Sequence, residues 1–290
     1  MLNALTIDVE DYFQVSAFEG CVSRECWDNY PLRVERNTSR ILDILDEFEV
    51  KATFFVLGWV AERKPALVRE IARRGHEVAS HGHGHQRVCN QTRKEFREDI
   101  RRSKAVLEEL CGVPVHGYRA PSYSISMKCL WTFDELLDAG YSYDSSVFPI
   151  QHDLYGIPDW PRHPFTVAKS ADGKWRPGIN GGDGFPCMTE IPITTLSIAG
   201  TSIPIAGGGY FRLFPYTFTK WGLKRINREE GRSFVFYLHP WEIDPEQPRM
   251  SNAPLKSHFR HYLNLLKTEG RLRRLLADFR FAPVKHCMEI

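Results

Sequence analysis

The feature that most constrains the fold is a regular alternation of short apolar runs with amphipathic segments over residues 3–143. The runs at residues 3–9 and 52–57 have the length and apolar character of strands buried on both faces. Between them, residues 37–48 place apolar side chains at positions i, i+3, i+4 and i+7, which predicts an amphipathic helix. Strands that alternate with helices in this way indicate an α/β fold with a parallel sheet and helices outside it.

Polar clusters directly follow the predicted strands. They are Asp8, Glu10 and Asp11 after the first strand, His81, His83 and His85 after the third, and then Arg119, Asp144 and His239 after later strands. In a barrel of strand–helix units, active sites are built at the carboxyl ends of the strands. We therefore expect these side chains to meet at one rim.

The histidines of this set predict a metal site. Two imidazoles, from His81 and His85, together with one carboxylate can hold Zn²⁺ or a similar divalent ion and leave positions open for water and substrate. Both Glu10 and Asp11 could supply the carboxylate, and His83 is assigned to packing or solvent. The competing interpretations are a histidine-rich surface loop without metal and an ordinary solvated acidic turn.

The other polar residues suit acid and base chemistry. Arg119 and Asp144 end neighbouring strands, where they could orient other acid or base groups. Each of them alone is as often part of a structural ion pair. His239 ends an apolar run and precedes a proline, which suits a general acid or base. The alternative for His239 is a hydrogen-bonded structural histidine.

Composition excludes several other classes of protein. The net charge is +2 and no basic cluster is interleaved with aromatic residues, so nucleic-acid binding is not indicated. No run of about 18 apolar residues could span a membrane, and the first residues lack the regions of a secretory signal. The seven cysteines have no CxxC spacing, which is typical of reduced thiols. We therefore expect a cytoplasmic protein without membrane insertion, and the oligomeric state stays open.

The chain is predicted to contain one large domain and a short extension. Residues 1–250 are expected to form the barrel, and residues 251–290 a C-terminal helical extension packed on it. Residues 147–215 are rich in proline and glycine and break the alternation. We interpret them as an insertion that covers one side of the site.

Five motifs, in this order, resemble those of the polysaccharide deacetylases of the NodB-homology, carbohydrate esterase 4 type. They are Thr-Ile-Asp-Val-Glu-Asp at 6–11, Ser-His-Gly-His-Gly-His at 80–85, Arg-Ala-Pro-Ser-Tyr at 119–123, Asp-Ser-Ser at 144–146 and Leu-His-Pro at 238–240. The amino-acid sequence at residues 8–13 and 236–242 is similar to that of one subgroup in particular. Its members are encoded with bacterial exopolysaccharide and exosortase-type (PEP-CTERM) sorting systems.

The resemblance implies both a fold and an activity. The fold is a distorted (β/α)₇ barrel. The activity is metal-dependent removal of acetyl groups from N-acetylated sugars, here in a polysaccharide or its precursor in exopolysaccharide biosynthesis. The implied cofactor is a divalent metal, Zn²⁺ or alternatively Co²⁺, and the implied partner is an N-acetylated glycan.

The resemblance also implies residue roles. Asp8 matches the catalytic base, Arg119 the residue that orients this base, His239 the general acid, Asp144 the residue that tunes this acid, and His81 and His85 the metal-binding histidines. Leu238 would line the pocket for the acetyl methyl group, and Tyr123 and Trp241 would contact substrate. A backbone N–H near Tyr123 would help to hold the oxyanion.

The chain departs from the family pattern in three places. Asp8-Val-Glu10-Asp11 replaces the usual adjacent pair of aspartates, which leaves the acidic metal ligand open, although Glu10 is favoured. Gly82 replaces the usual serine. Ser122 is inserted before Tyr123, so the role of this tyrosine is also open.

Two other functions stay under consideration. One is a small-molecule amidase that acts on cyclic ureides or formamides. A closed, arginine-rich pocket would favour this function. The other is a catalytically silent glycan-binding protein, against which the intact acid and base residues argue. An open groove with stacked aromatic residues would favour glycan, and the insertion offers Trp160, Trp175, Phe185, Tyr210 and Phe211.

Overall fold

The computed structural model describes residues 1–152, 155–178 and 186–287. Its strands are β1 (Leu2–Val9), β2 (Thr53–Val56), β3 (Glu77–Ser80), β4 (Gly117–Tyr118), β5 (Tyr143–Asp144), β6 (Phe165–Lys169), β7 (Trp175–Pro177), β8 (Cys187–Glu190), β9 (Thr195–Ile198), β10 (Thr201–Pro204), β11 (Val235–Leu238) and β12 (Arg280–Ala282). Seven of them pair in parallel in the order β11, β1, β2, β3, β4, β5, β8. The predicted parallel sheet is confirmed.

This sheet curls into a barrel. Arg119 follows β4, which lies three strands from β1, yet its guanidinium donates a hydrogen bond to the Thr6 hydroxyl of β1 over 2.7 Å. In a flat sheet, three strand spacings would separate the two backbones by about 14 Å. Similarly, the Tyr143 hydroxyl on β5 lies 3.0 Å from the Glu77 carboxylate on β3. Such contacts across the interior require the curvature of a barrel.

Helices cover the outside of the sheet. They are α1 (Val34–Glu47), α2 (Gly58–Arg63), α3 (Pro65–Arg73), α4 (Arg93–Cys111), α5 (Thr132–Asp138), α6 (Gly208–Leu213), α7 (Tyr216–Arg228), α8 (Leu255–Tyr262), α9 (Leu265–Asp278) and α10 (Val284–Cys287). The apolar face of α1, with Ile41, Ile44 and Leu45, is fully buried, as its spacing predicts. Among the described residues, no helix combines the length and apolar character that crossing a bilayer requires.

The segment 147–215 contains more regular structure than its composition predicts. β6 runs antiparallel between β7 and β8 and so extends the main sheet, while β9 and β10 form a separate hairpin. The strand β8 begins at Cys187 and ends at Glu190. Pro192 follows, and proline cannot donate to a ladder.

The expectation of sugar-stacking aromatic residues in this segment is wrong for three of them. Trp160 and Trp175 are 7% and 5% exposed and pack on Phe133, at ring-centroid distances of 6.2 and 5.5 Å. Phe211 is fully buried and packs edge-on against Phe236. These rings belong to the core because their faces are already covered by protein. Tyr210 is partly buried, and Phe185 lies outside the described residues.

The C-terminal segment is not only helical. Its strand β12 pairs in parallel with the first residues of β1, with Ala282 opposite Ala4. The segment 251–287 therefore contributes to the main sheet as well as packing helices against it.

Candidate active site

Three side chains meet at the carboxyl ends of the strands. Glu10 follows β1, His81 follows β3, and His85 lies four residues further on, with one ligand atom from each within 4.8 Å of the others. The Glu10 Oε2 atom is 2.7 Å from His85 Nε2. The Nδ1 atom of His81 lies 2.8 Å from the Arg119 carbonyl oxygen, which leaves its other ring nitrogen for the cluster. All three residues are buried.

The loop that carries the histidines is held by a residue that sequence reasoning missed. The carboxylate of Asp99 on α4 accepts hydrogen bonds from the backbone N–H groups of His83 and Gly84, over 2.8 and 3.0 Å. Gly82 has a φ of 72°, and a Cβ there would lie 2.8 Å from an Asp99 oxygen. The glycine that replaces the family's serine thus permits a close approach of loop and helix. In the sequence, Asp99 is one of many polar residues on α4, and no pattern distinguishes it.

His83 does not face the cluster. Its Nε2 atom lies 3.1 Å from the Glu62 carboxylate of α2, which agrees with its assignment outside the metal set.

Asp8 is surrounded by three of the predicted site residues. The Arg119 guanidinium donates to its Oδ1 atom over 2.6 Å, and the Tyr123 hydroxyl lies 3.4 Å from its Oδ2 atom. The Nε2 atom of His239 is 3.9 Å from the same oxygen. Arg119 is itself fully buried and also donates to the Ser145 carbonyl, so its position is fixed from two sides. Asp8 therefore has the buried, oriented carboxylate that a base requires.

Asp11 lies outside the ligand cluster, which corrects its inclusion as a metal ligand. Its Oδ2 atom accepts hydrogen bonds from the backbone N–H groups of Arg33 and Val34, at the start of α1. Its Oδ1 atom accepts from the N–H of Tyr12. Both oxygens thus accept backbone hydrogen bonds, and Oδ2 does so at a helix N-terminus, where a carboxylate is stabilising. Of the two acidic candidates, Glu10 is the one whose carboxylate faces the histidines.

His239 has a different acidic partner from the predicted one. The Glu242 carboxylate lies 3.6 Å from His239 Nδ1 and also accepts the backbone N–H of His239. Arg212 of α6 donates to Glu242 over 3.0 Å, and both members of this ion pair are buried. The other ring nitrogen of His239 lies 3.6 Å from Glu10. The sequence signal for Glu242 is its position three residues after His239.

Asp144 contacts Ser146 and Glu190, and among the described residues it forms no ion pair with His239. Its oxygens accept hydrogen bonds from the N–H and hydroxyl groups of Ser146, and it pairs in register with Glu190 of β8. Burial and the Asp144 charge raise the pKa of Glu190 well above its usual value, so that Glu190 is the protonated member of the pair. The Ser146 hydroxyl in turn accepts the N–H of Ala120, beside Arg119. Asp144 thus supports the segment that carries Arg119, and its predicted action on His239 is corrected.

Tyr123 brings its hydroxyl near Asp8 through an unusual backbone. Ser122 and Tyr123 have φ values of 55° and 53°, in the left-handed region. Such residues cost of order 1–3 kcal/mol each and are often found at functional sites. The N–H of Tyr123 donates to the Ala120 carbonyl over 3.0 Å. This amide is therefore already used, which argues against it as the predicted oxyanion donor.

Leu238 and Trp241 lie behind the site. Leu238 is fully buried on β11, opposite Ile7 of β1. The Trp241 indole is 5% exposed, stacks on His239 and donates to the Glu10 Oε1 atom over 3.2 Å. The indole thus orients Glu10, a candidate metal ligand, whereas the resemblance implies that Trp241 contacts substrate.

The electrostatics separate His81 from His239. Burial lowers the pKa of His81 to about 4, so its imidazole is neutral, as a metal ligand requires. Burial also lowers the pKa of His239, but the charges of Glu10, Glu242 and Asp8 outweigh it and raise this pKa to about 9. Burial alone would raise the pKa of Glu10, yet His85 and His239 hold it well below its usual value. At neutral pH, His239 is thus a proton donor beside an ionised carboxylate.

Two family models match this chain. The model described as polysaccharide deacetylase matches residues 25–142, and a domain of unknown function (DUF3473) matches residues 145–289. Over residues 25–142, the chain belongs to the polysaccharide deacetylase family. The first range contains His81, His85 and Arg119, and the second contains His239, whereas Asp8 lies before both. The site is thus assembled from both matched ranges and the residues that precede them.

Curated relatives in the polysaccharide deacetylase family match only part of the chain. A peptidoglycan-N-acetylglucosamine deacetylase of Bacillus cereus is 37% identical over 84 residues, which are 29% of this chain and 30% of the relative. A chitooligosaccharide deacetylase of Sinorhizobium fredii is 34% identical over 85 residues, 29% of this chain and 40% of the relative. The chain thus spans well under half the length of these relatives.

Solved structures share the fold over nearly the whole chain. A protein from Mycobacterium smegmatis assigned to the polysaccharide deacetylases has a TM-score of 0.59 at 23% identity, covering 99% of this chain and 88% of its own. The PuuE allantoinase has a TM-score of 0.58 at 14% identity, with coverages of 99% and 89%. The predicted barrel fold is confirmed.

Proposed function

We propose that this protein is a metal-dependent hydrolase that removes N-acetyl groups from an N-acetylated polysaccharide or its precursor in bacterial exopolysaccharide biosynthesis. Family membership supports the deacetylase class, and the names of the curated relatives support an N-acetylated glycan as substrate. The observation that carries the proposal is one group of neighbouring residues at the carboxyl ends of the strands. It combines an oriented carboxylate, Asp8, a three-residue ligand set and a protonated histidine, His239.

The ligand set fits a divalent cation. Glu10, His81 and His85 offer one carboxylate and two imidazoles, a donor set that catalytic zinc sites use. Outside its contact with His85, the Glu10 Oε2 atom is buried without a hydrogen-bond donor among the described residues. A buried acceptor of this kind costs free energy unless a cation or a donor satisfies it. When bound there, the metal would polarise the acetyl carbonyl and lower the pKa of water to about 7.

The protein's own residues would divide the proton transfers between them. Asp8, fixed by Arg119, would accept a proton from the attacking water. The protonated imidazole of His239, whose Nε2 atom lies 3.9 Å from Asp8 and 3.6 Å from Glu10, would donate to the departing amine. The Tyr123 hydroxyl, 3.4 Å from Asp8, can hold the water or the substrate carbonyl. Amide hydrolysis needs one base and one acid, and the site offers one of each.

The test separates the base from the metal ligands. Asp8→Asn should keep one equivalent of bound zinc and lose acetate release from N-acetylglucosamine oligomers by about 10²–10⁴-fold, the usual contribution of a general base. Glu10→Gln should lose both metal and activity. The measurement is elemental analysis of each purified variant, combined with acetate release before and after chelation and metal return.

Two results would contradict the proposal. Full activity of Asp8→Asn would remove Asp8 as the base. Stoichiometric metal without acetate release from any N-acetylated glycan would remove the substrate class, and cyclic ureides would then be the next substrates to test.

A further inference from the structure

Two of the seven cysteines are in direct contact. The Sγ atoms of Cys89 and Cys129 lie 2.7 Å apart. Non-bonded carbon atoms, which are smaller than sulfur, pack at about 3.5–4.0 Å. A disulfide bond measures about 2.05 Å. The two thiols are therefore closer than packed neighbours, and only a small displacement separates them from bonding distance.

Polar groups hold this pair in place. The Ser124 carbonyl oxygen accepts from both thiols, at 3.1 Å from Cys89 and 3.5 Å from Cys129. The backbone N–H of Ser126 donates to the Cys129 sulfur over 3.2 Å, and the Ser126 hydroxyl lies 3.2 Å from the Cys89 sulfur. Donors of this kind stabilise a thiolate, which is the reactive form of cysteine.

The two cysteines differ in access to solvent. Cys89 is exposed, whereas Cys129 is 2% exposed. The hydrogen bond with Cys129 and the nearby Lys128 lower the pKa of the Cys89 thiol. An exposed thiol that ionises readily, next to a buried second thiol, is the arrangement of an attacking and a resolving cysteine.

We propose that Cys89 and Cys129 form a reversible disulfide by exchange with a low-molecular-weight disulfide such as oxidised glutathione. The Cys89 thiolate attacks the external disulfide, forms a mixed disulfide and releases one small thiolate. The Cys129 thiol then passes its proton to the released thiolate, attacks the Cys89 sulfur and releases the second small thiolate. One external disulfide is reduced to two thiols, two protein thiols are oxidised to one disulfide, and two protons move from the protein thiols to the released thiolates.

This bond would join two loops of the candidate active site. Cys89 lies in a short 3₁₀ turn, Val88–Asn90, soon after the ligand His85, and Cys129 follows the segment that carries Tyr123. The N–H of Val88 already donates to the Ser124 hydroxyl over 2.9 Å. Oxidation would turn this polar contact between the loops into a covalent one. The inference does not rest on the proposed function, because bond formation is measured without substrate.

The experiment uses the full-length protein, reduced and then freed of reductant. After incubation with oxidised glutathione, thiols are counted under denaturing conditions, and tryptic peptides are mapped by mass spectrometry without reduction. We expect the thiol count to fall from seven to five. The peptides that carry residues 89 and 129 should be recovered as one cross-linked species, and dithiothreitol should reverse both changes.

Three variants control the result. Cys89→Ser should abolish the loss of thiols at this pair. Cys129→Ser should instead trap glutathione on Cys89, because the resolving thiol is gone. Cys26→Ser removes another exposed cysteine and should leave the 89–129 cross-link unchanged.

A second measurement keeps the inference testable if a variant folds poorly. Oxidation of the unaltered protein should raise Tm by about 5 °C, because a bond that closes a long loop restricts the unfolded chain. The proposal is overturned if glutathione remains on Cys89 in the unaltered protein, if the lost thiols map to other cysteines, or if oxidation lowers Tm.

Discussion

At the scale of single residues, the site shows how buried charges are paired. His239 faces Glu10 and Asp8 on one side and Glu242 on the other, and Arg212 neutralises Glu242 from behind. A buried charge without a partner costs several kcal/mol, so each charged group in this row requires an oppositely charged neighbour. The acid partner of His239 is therefore Glu242, whereas family resemblance alone assigns this role to Asp144.

Replacement of Glu242 tests this assignment. Glu242→Gln keeps the shape of the side chain but removes the negative charge that raises the pKa of His239. The pKa of His239 should fall, so the alkaline limb of the pH–activity profile should move to lower pH, and turnover should drop about tenfold or more. The measurement is kcat across pH, with bound metal and Tm determined on the same preparation.

Asp144→Asn is the matched comparison for this prediction. It also removes one buried carboxylate charge, but its contacts are Ser146 and Glu190. We expect it to lower stability without moving the alkaline limb. If the alkaline limb of the pH–activity profile moves in Asp144→Asn and not in Glu242→Gln, Asp144 is the residue that tunes His239.

At the scale of elements, helix α4 positions the loop 81–85, which carries two of the candidate metal ligands. The capping box of Thr92 and Glu95 fixes its start, and Gly112, with a φ of 68°, ends it. This fixed helix holds the Asp99 carboxylate against the backbone of the loop 81–85. The geometry of the two histidines thus depends on a helix that supplies no ligand.

Asp99→Ala should weaken the site through this contact. Two backbone N–H groups would lose their acceptor, at a cost of about 1–3 kcal/mol in the free energy of unfolding. Zinc affinity should fall about tenfold or more, because the loop is no longer held. Glu98→Gln on the exposed face of the same helix should change neither quantity. Equal zinc affinities in the two variants, measured by competition with a chelator, would show that the loop keeps its shape without Asp99.

At the scale of the whole molecule, the two family matches describe one structure. Strand β12, from the end of the chain, pairs with β1, and the ring of His261 stacks on Trp241 at a centroid distance of 4.1 Å. Arg212 donates to the carbonyl groups of His261 and Leu263 at the end of α8. The C-terminal segment therefore supports the site residues from behind.

A pair of leucines on α9 tests whether this segment and the barrel unfold together. Leu272 is fully buried in the core, so Leu272→Ala should lower the free energy of unfolding by about 2–5 kcal/mol. Leu266 on the same helix is 84% exposed, and Leu266→Ala should change it by less than about 0.5 kcal/mol. Calorimetry should show one transition that shifts as a whole in Leu272→Ala. Two transitions, of which only one shifts, would indicate an independent C-terminal unit.

The alternation of strands and helices can be predicted from the sequence because it depends on residues that are close together in the chain. Apolar periodicity in α1, the capping residues of α4 and the polar residues after β1 and β3 depend on neighbours in the sequence. The break between α8 and α9 is different. α8 ends at Tyr262 and α9 begins at Leu265. At this point Arg212, which is distant in the sequence, donates to the carbonyl groups of Arg260, His261 and Leu263.

The sequence by itself determined the α/β architecture and the residue types available for chemistry, since periodicity and strand-end placement are properties of short segments. Only the tertiary structure decided which carboxylate faces which partner. Glu10 and Asp11 are adjacent and chemically alike, but Asp11 accepts backbone hydrogen bonds at the start of α1, whereas Glu10 faces the histidines. The same holds for Asp144 and Glu242. Strand pairing places Asp144 opposite Glu190, whereas the turn after His239 brings Glu242 to the imidazole. Hydrogen bonds and ion pairs act over a few ångströms, so long-range packing must first bring their partners together.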